Sequence, residues 1–135
     1  MASYLSNLLV AGNVGIMLFF TVAVAPTIFT ALPPEWSATY VRKFFPKYFL
    51  FLGVTTGAAA ALGVAAGMDI MRQLGLLACA LIFFFNRFWL TPRINHARDD
   101  EKTSSFKSLH WLSVGLNMVQ LLVFIWFLIP IGRAP

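Results

Sequence analysis

Long stretches of this chain carry no charge, and those gaps constrain its fold more than any other feature. Residues 1–34, 48–68, 73–86 and 108–132 contain no Asp, Glu, Lys or Arg, giving gaps of 34, 21, 14 and 25 residues. A helix needs about 20 mostly apolar residues to cross a bilayer. Three gaps meet that length alone, and the third meets it when Arg87 lies inside its helix. The pattern predicts four transmembrane helices at about 6–31, 47–68, 71–91 and 106–131, forming one all-α domain over residues 1–135. Composition agrees, with 59% hydrophobic and 11% charged residues, where a soluble domain carries about a quarter charged.

Ala23-Val24-Ala25 resembles a signal-peptide cleavage site, but no basic segment precedes the apolar run, and the run is too long for a signal core. The first span is therefore expected to be retained. Cys79 is the lone cysteine, which excludes an internal disulfide or thiolate cluster and suits a small buried filler. The isoelectric point near 9.9 is explained by topology, so no nucleic-acid partner is expected. Four spans put the N-terminus, the second turn and the C-terminus on one side, with Arg72 and Arg133. The other side holds Arg42, Lys43, Lys47, Arg87, Arg93, Arg98, Lys102 and Lys107. Eight against two predicts an inner-membrane protein with both termini outside and the 1–2 and 3–4 loops in the cytoplasm.

The connections differ in character. Pro33-Pro34 suit a helix start, and Trp36, Tyr40 and Phe44 then recur every four residues beside Arg42, Lys43 and Lys47. That pattern predicts a short amphipathic helix at the cytoplasmic interface, between helices 1 and 2. The stretch GMDIMRQ is long enough only for a tight hairpin. TPRINHARDDEKTSSF reads as a polar loop, with Thr103, Ser104 and Ser105 as caps for helix 4 and Asp99, Asp100 and Glu101 suited to its N-terminus.

Within the spans, helix 2 carries Gly53, Gly57 and Ala61 on one face, and Gly63 with Gly67 as a second small pair. Such spacing lets helix backbones approach closely in lipid. In helix 4, His110, Ser113, Asn117 and Gln120 form a stripe under a quarter-turn wide at about 100° per residue. Polar side chains in a span face the bundle interior. Ser113, Asn117 and Gln120 are expected to join helices by hydrogen bonds, with Asn13 of helix 1 at a depth suited to pairing with helix 4. His110 and Arg87 each lie one turn inside the cytoplasmic end of their helices, level with Thr27, Lys47, Tyr48 and Asn86. Arg87 either snorkels to the surface, as long side chains near helix ends commonly do, or faces inward, and since no acid lies within a span an inward layer suits an anionic headgroup, a small anionic ligand or a partner's loop.

The segments VAPTIFTALPPEWSATYVRKFFPKYFLF, LTPRINHARDD and FKSLHWLSVGLNMV carry Pro26, Phe29, Phe45-Pro46, Tyr48, Pro92 and a Phe106, His110, Ser113, Asn117 run. This pattern resembles the domain-of-unknown-function 4149 family, which includes transmembrane-protein-205-like proteins. The resemblance implies a four-helix membrane protein and supplies no biochemical activity. The residues themselves support a non-enzymatic accessory or binding subunit, with membrane lipid, a membrane-protein partner or a second copy as its contacts. The alternative is a haem- or quinone-binding oxidoreductase or a subunit of one, centred on His110. Against it, His96 lies outside the spans and no second intramembrane histidine is present. A small oligomeric transporter or channel is the third reading, although proton-coupled transport usually relies on buried acids. No catalytic residue and no metal site is predicted.

Overall fold

The computed structural model describes residues 1–129, and every described element is helical. Four helices are long and apolar enough to span a membrane: α1 (Ala2–Ala31), α2 (Pro34–Ala65), α3 (Ile70–Asp99) and α4 (Thr103–Leu128). They form a square. α1 packs on α2 and α4, and α3 packs on the same two, so α2 and α4 stand at opposite corners, as do α1 and α3. Met17, Leu52, Leu76, Phe83 and Phe124 fill the core. The outer faces show Phe19, Val22, Leu81, Leu122 and Trp126, side chains that hydrocarbon solvates as readily as a protein core does. With backbone bonds closed inside each helix, such a surface is suited to lipid.

Prolines shape the helices on the charged side. Pro26 and Pro92 cannot donate to the carbonyl four residues back, and their rings crowd it. Each follows a π turn, Phe20–Val24 in α1 and Asn86–Leu90 in α3. Ala25 N–H reaches Phe20 O and Thr91 N–H reaches Asn86 O, bonds spanning five residues that widen the helix just before each proline. Pro46 sits inside α2 without ending it.

Three sequence expectations change here. The separate amphipathic helix between helices 1 and 2 is not observed: Pro34–Phe45 forms the first turns of α2, continuous through Pro46. The reason is tertiary packing. Phe20 of α1 stacks on Phe44 at 5.0 Å and lies against Phe45 and Tyr48, so aromatic contacts hold both sides of Pro46 to one neighbour. Helix 3 does not stop at residue 91. Its π turn absorbs Pro92 and the helix runs on to Asp99, where Arg42 Nη2 of α2 meets Asp99 Oδ1 at 2.5 Å. The polar loop thus shrinks to Asp100–Lys102, and Thr103, Ser104 and Ser105 lie inside α4, whose cap position, Lys102, makes no side-chain capping bond. Helix 4 is described to Leu128; the predicted end near 131, and Arg133, lie outside the described residues.

The two hairpins on either side of α3 close alike. At the end of α2, Met68 N–H bonds Gly63 O and Gly67 N–H bonds Val64 O, with Gly67 at φ +67°. At the end of α3, Lys102 N–H bonds Ala97 O and Glu101 N–H bonds Arg98 O, with Glu101 at φ +57°. Both are Schellman closures, which require a left-handed residue after the cap. Gly67 therefore serves the turn rather than helix packing, and nothing lies within 4 Å of where its Cβ would stand. Across the hairpin, Asp69 caps α3 by accepting from Arg72 N–H at 3.2 Å.

Candidate functional site

Polar side chains inside the bundle form two layers. The layer near the termini is built by α1, which turns Ser6, Val10, Asn13 and Met17 inward at alternating spacings of four and three. Asn13 Nδ2 donates to Thr56 Oγ1 at 3.0 Å, and Thr55 Oγ1 donates to Asn13 Oδ1 at 2.9 Å. Asn13 thus joins α1 to α2, not to helix 4 as its depth suggested, because α2 presents two hydroxyls where α4 would present one amide. Ser6 Oγ donates to Ala59 O at 2.6 Å. Arg72 Nη2 reaches Ser6 Oγ at 3.1 Å and Asn7 Oδ1 at 2.8 Å. Arg72 is 5% exposed: a charge assigned to a loop by sequence belongs to the interior. The spacing of Ser6, Val10, Asn13 and Met17 was the available signal, since it aims a hydroxyl and an amide at whatever packs beside them.

The second layer belongs to the polar stripe of α4. Ser113 Oγ donates to Asn86 Oδ1 at 3.0 Å, and Asn86 Nδ2 donates to Ile82 O at 3.1 Å. Gln120 Nε2 donates to Cys79 O at 2.8 Å. Both bonds tie α4 to α3. Asn117 faces the other way, toward Tyr48 of α2 across the bundle. Tyr48 and Asn86, two of the candidate ligand-binding residues, are buried members of this layer.

The remaining candidates stand elsewhere. His110 is exposed, its ring stacked on Phe106 at 5.8 Å and edge-on to Trp111 at 5.9 Å. Arg87 lies half-buried with its guanidinium 5.0 Å from the centroid of Phe88, an exposed ring. Among the described residues no hydrogen bond or ring contact joins His110 to Arg87, so the structure does not unite them in one pocket. His110 instead stands beside Trp111 on the outer face of α4. Thr27 is exposed near the end of α1, and Lys47 is exposed on α2. Among the described residues no group of three or more His, Cys, Asp and Glu is placed to hold a metal ion.

Of the predicted packing residues, Gly53 and Gly63 are buried against α3, Gly53 by the Phe84 ring and Gly63 by the Gln73 amide. Gly57 meets nothing within 4 Å and Ala61 is exposed. The small face used is offset from the one predicted, and it runs through Gly53, Thr56, Ala60 and Gly63.

Two grooves open at the charged end. One, of about 480 Å³, is lined by Leu32, Trp36, Tyr40, Phe44, Lys43 and Lys47. The other, of about 640 Å³, lies between α3 and α4; Phe88, Trp89 and Leu109 supply apolar wall, and Arg93, His96, Lys102 and Asp100 supply charge and polarity. Arg93 stacks its guanidinium 4.2 Å over the Trp89 ring, a cation–π contact that fixes the cation at the groove wall. Arg93, Lys102 and Asp100 sum to one positive formal charge.

The chain is similar along most of its length to an uncharacterised protein of Aquifex aeolicus (strain VF5), at 30% identity over 109 residues, 81% of this chain and 80% of that one. No solved structure matches it. The family model described as a domain of unknown function, DUF4149, matches residues 8–103, a span that takes in the first three helices, both π turns and the groove wall at Phe88–Ala97. On that match the chain belongs to the DUF4149 family.

Proposed function

We propose that this protein is a non-enzymatic accessory or binding protein of a bacterial inner membrane that holds an anionic lipid at its cytoplasmic end. One observation carries the reading: the α3–α4 groove sets Arg93, His96 and Lys102 above Phe88, Trp89 and Leu109. That order matches an amphiphile, with phosphate against the cations and acyl chain against the rings. The net single positive charge of the lining suits a phosphodiester headgroup, which carries one negative charge. Basic residues near a membrane surface each contribute about 1 kcal/mol to anionic-lipid attraction. The basic bias of this end supports its placement in the cytoplasm, where such headgroups and salt are both present.

The test is native mass spectrometry of protein purified from mixed bilayers containing phosphatidylglycerol and phosphatidylethanolamine. Retention of phosphatidylglycerol over phosphatidylethanolamine is expected, together with a roughly thirtyfold loss in Arg93→Ala/Lys102→Ala, the equivalent of about 2 kcal/mol. Equal retention of both lipids by the unaltered chain would overturn the reading.

A further inference from the structure

The second groove, on the opposite hairpin, carries charge that nothing in the chain balances. Lys43 and Lys47 line it together with Trp36, Tyr40 and Phe44, and no acid is among its lining residues. Among the described residues neither lysine side chain has an ion-pair or hydrogen-bond partner. Glu35, the acid of α2, lies eight residues before Lys43, about 12 Å away along the helix. Arg42 is committed to Asp99 of α3. Two positive charges therefore stand together on one wall. That wall is preformed, because Phe44 stacks on Phe20 of α1 at 5.0 Å and on Tyr40 at 5.7 Å. The groove volume of about 480 Å³ falls within the usual range of ligand sites, about 300–1,000 Å³.

Depth decides what can enter. From Lys47 to the end of α2 at Ala65 the helix rises about 27 Å, close to the hydrocarbon thickness of about 30 Å. Lys47 therefore lies at the headgroup boundary, with Lys43 one turn outside it. Inward from Lys47, α2 exposes Leu50, Phe51 and Val54. At about 100° per residue, these three and the two lysines fall within about 100° of arc. One stripe thus runs from cations at the surface to apolar side chains inside the bilayer. That is the order of parts in a lipid, whereas a soluble anion would meet only the outer end.

Charge balance then selects the headgroup. Residues four apart on a helix have Cβ atoms about 5–6 Å from each other, and the flexible lysine stem lets both ammonium groups reach one phosphate. A phosphodiester, with one negative charge, would leave one lysine unbalanced. A phosphomonoester carries about −1.5 to −2 near pH 7 and answers both. We propose that this groove binds a phosphatidate, a lipid with a phosphomonoester headgroup. Lys43 and Lys47 hold the phosphate, and an acyl chain lies along Leu50, Phe51 and Val54. The site is separate from the α3–α4 groove and does not rest on lipid binding there.

Native mass spectrometry of the full chain, released from phosphatidylethanolamine bilayers containing equal phosphatidate and phosphatidylglycerol, tests this. Arg93→Ala/Lys102→Ala is the background, which removes the cations of the α3–α4 groove so that the two lipid readings fail separately. This background should retain phosphatidate in excess of phosphatidylglycerol. Adding Lys43→Ala/Lys47→Ala should cut phosphatidate retention roughly thirtyfold. Adding Lys43→Arg/Lys47→Arg instead should preserve it, since both charges remain. All four positions are exposed, where substitutions rarely disturb folding. Equal retention of the two lipids by the background overturns the proposal. So does phosphatidate retention that survives the alanine pair, or its loss in the arginine pair.

Discussion

Gly53 and Gly57 lie one turn apart on α2 and meet opposite surroundings. A Cβ on Gly53 would stand 3.0 Å from the Phe84 ring, whereas one on Gly57 would meet nothing within 4 Å. Gly53→Leu is therefore expected to lower stability by about 1–3 kcal/mol, as overpacked cores do, while Gly57→Leu leaves thermal unfolding in detergent nearly unchanged. A large shift for Gly57→Leu alone would show that its open face is covered in the membrane. Gln73 presents the converse case. It is 7% exposed, its amide lies against Gly63, and neither end has a hydrogen-bond partner. An unsatisfied buried amide costs roughly 1–3 kcal/mol, so Gln73→Met should raise the unfolding temperature. A fall would mean the amide is paired in the bilayer. Spacing in the sequence marked small residues correctly as a class, yet it left open which of two adjacent faces was used, because glycines occur on both. Only the bulky partners, Phe84 and the Gln73 amide, decide between them, and their positions depend on how α3 docks.

At the scale of elements, prolines and turns carry the information that charge gaps lack. The gaps located four spans, but they placed helix ends where apolar character stops, and backbone bonding does not stop there. α3 continues to Asp99 because a π turn precedes Pro92, and α2 begins at Pro34 because Phe20 stacks on Phe44. The aromatic spacing at Trp36, Tyr40 and Phe44 was legible, but whether it formed its own helix depended on how Pro46 was accommodated. The α3–α4 turn offers a sharp test. Glu101 occupies the left-handed position that Gly67 fills in the preceding hairpin, and a side chain there costs about 1 kcal/mol. Glu101→Gly is expected to stabilise the protein by about that amount, measured by thermal unfolding in detergent. Gly67→Ala should destabilise it by a similar amount, since alanine brings the same penalty to a turn that now avoids it.

For the whole molecule, burial sharpens the charge argument from which an orientation is predicted. Arg72 is inside the bundle, bonded to Ser6 and Asn7, so it does not contribute a surface charge beside the termini. Arg42, Lys43, Lys47, Arg93, Arg98, Lys102 and Lys107 are exposed at the opposite end. Among the described residues every exposed Lys and Arg therefore lies on one side, a stronger asymmetry than counting along the sequence gives. The four-helix architecture was readable because hydrocarbon demands long uncharged runs, whereas the partners of individual polar groups were not, because they depend on which helices become neighbours. The asymmetry carries a topology prediction: translocating seven exposed cations is opposed by the membrane potential, so that end is expected in the cytoplasm. Single cysteines at Tyr4, which is 66% exposed, and at exposed Ser104, in a Cys79→Ala background, provide the measurement. A membrane-impermeant maleimide applied to intact cells should label position 4 and reach position 104 only after permeabilisation. Labelling of position 104 in intact cells would place Arg93, His96 and Lys102 outside, away from the leaflet assumed for lipid binding. Both positions labelling in intact cells would indicate a mixed orientation and overturn the predicted topology.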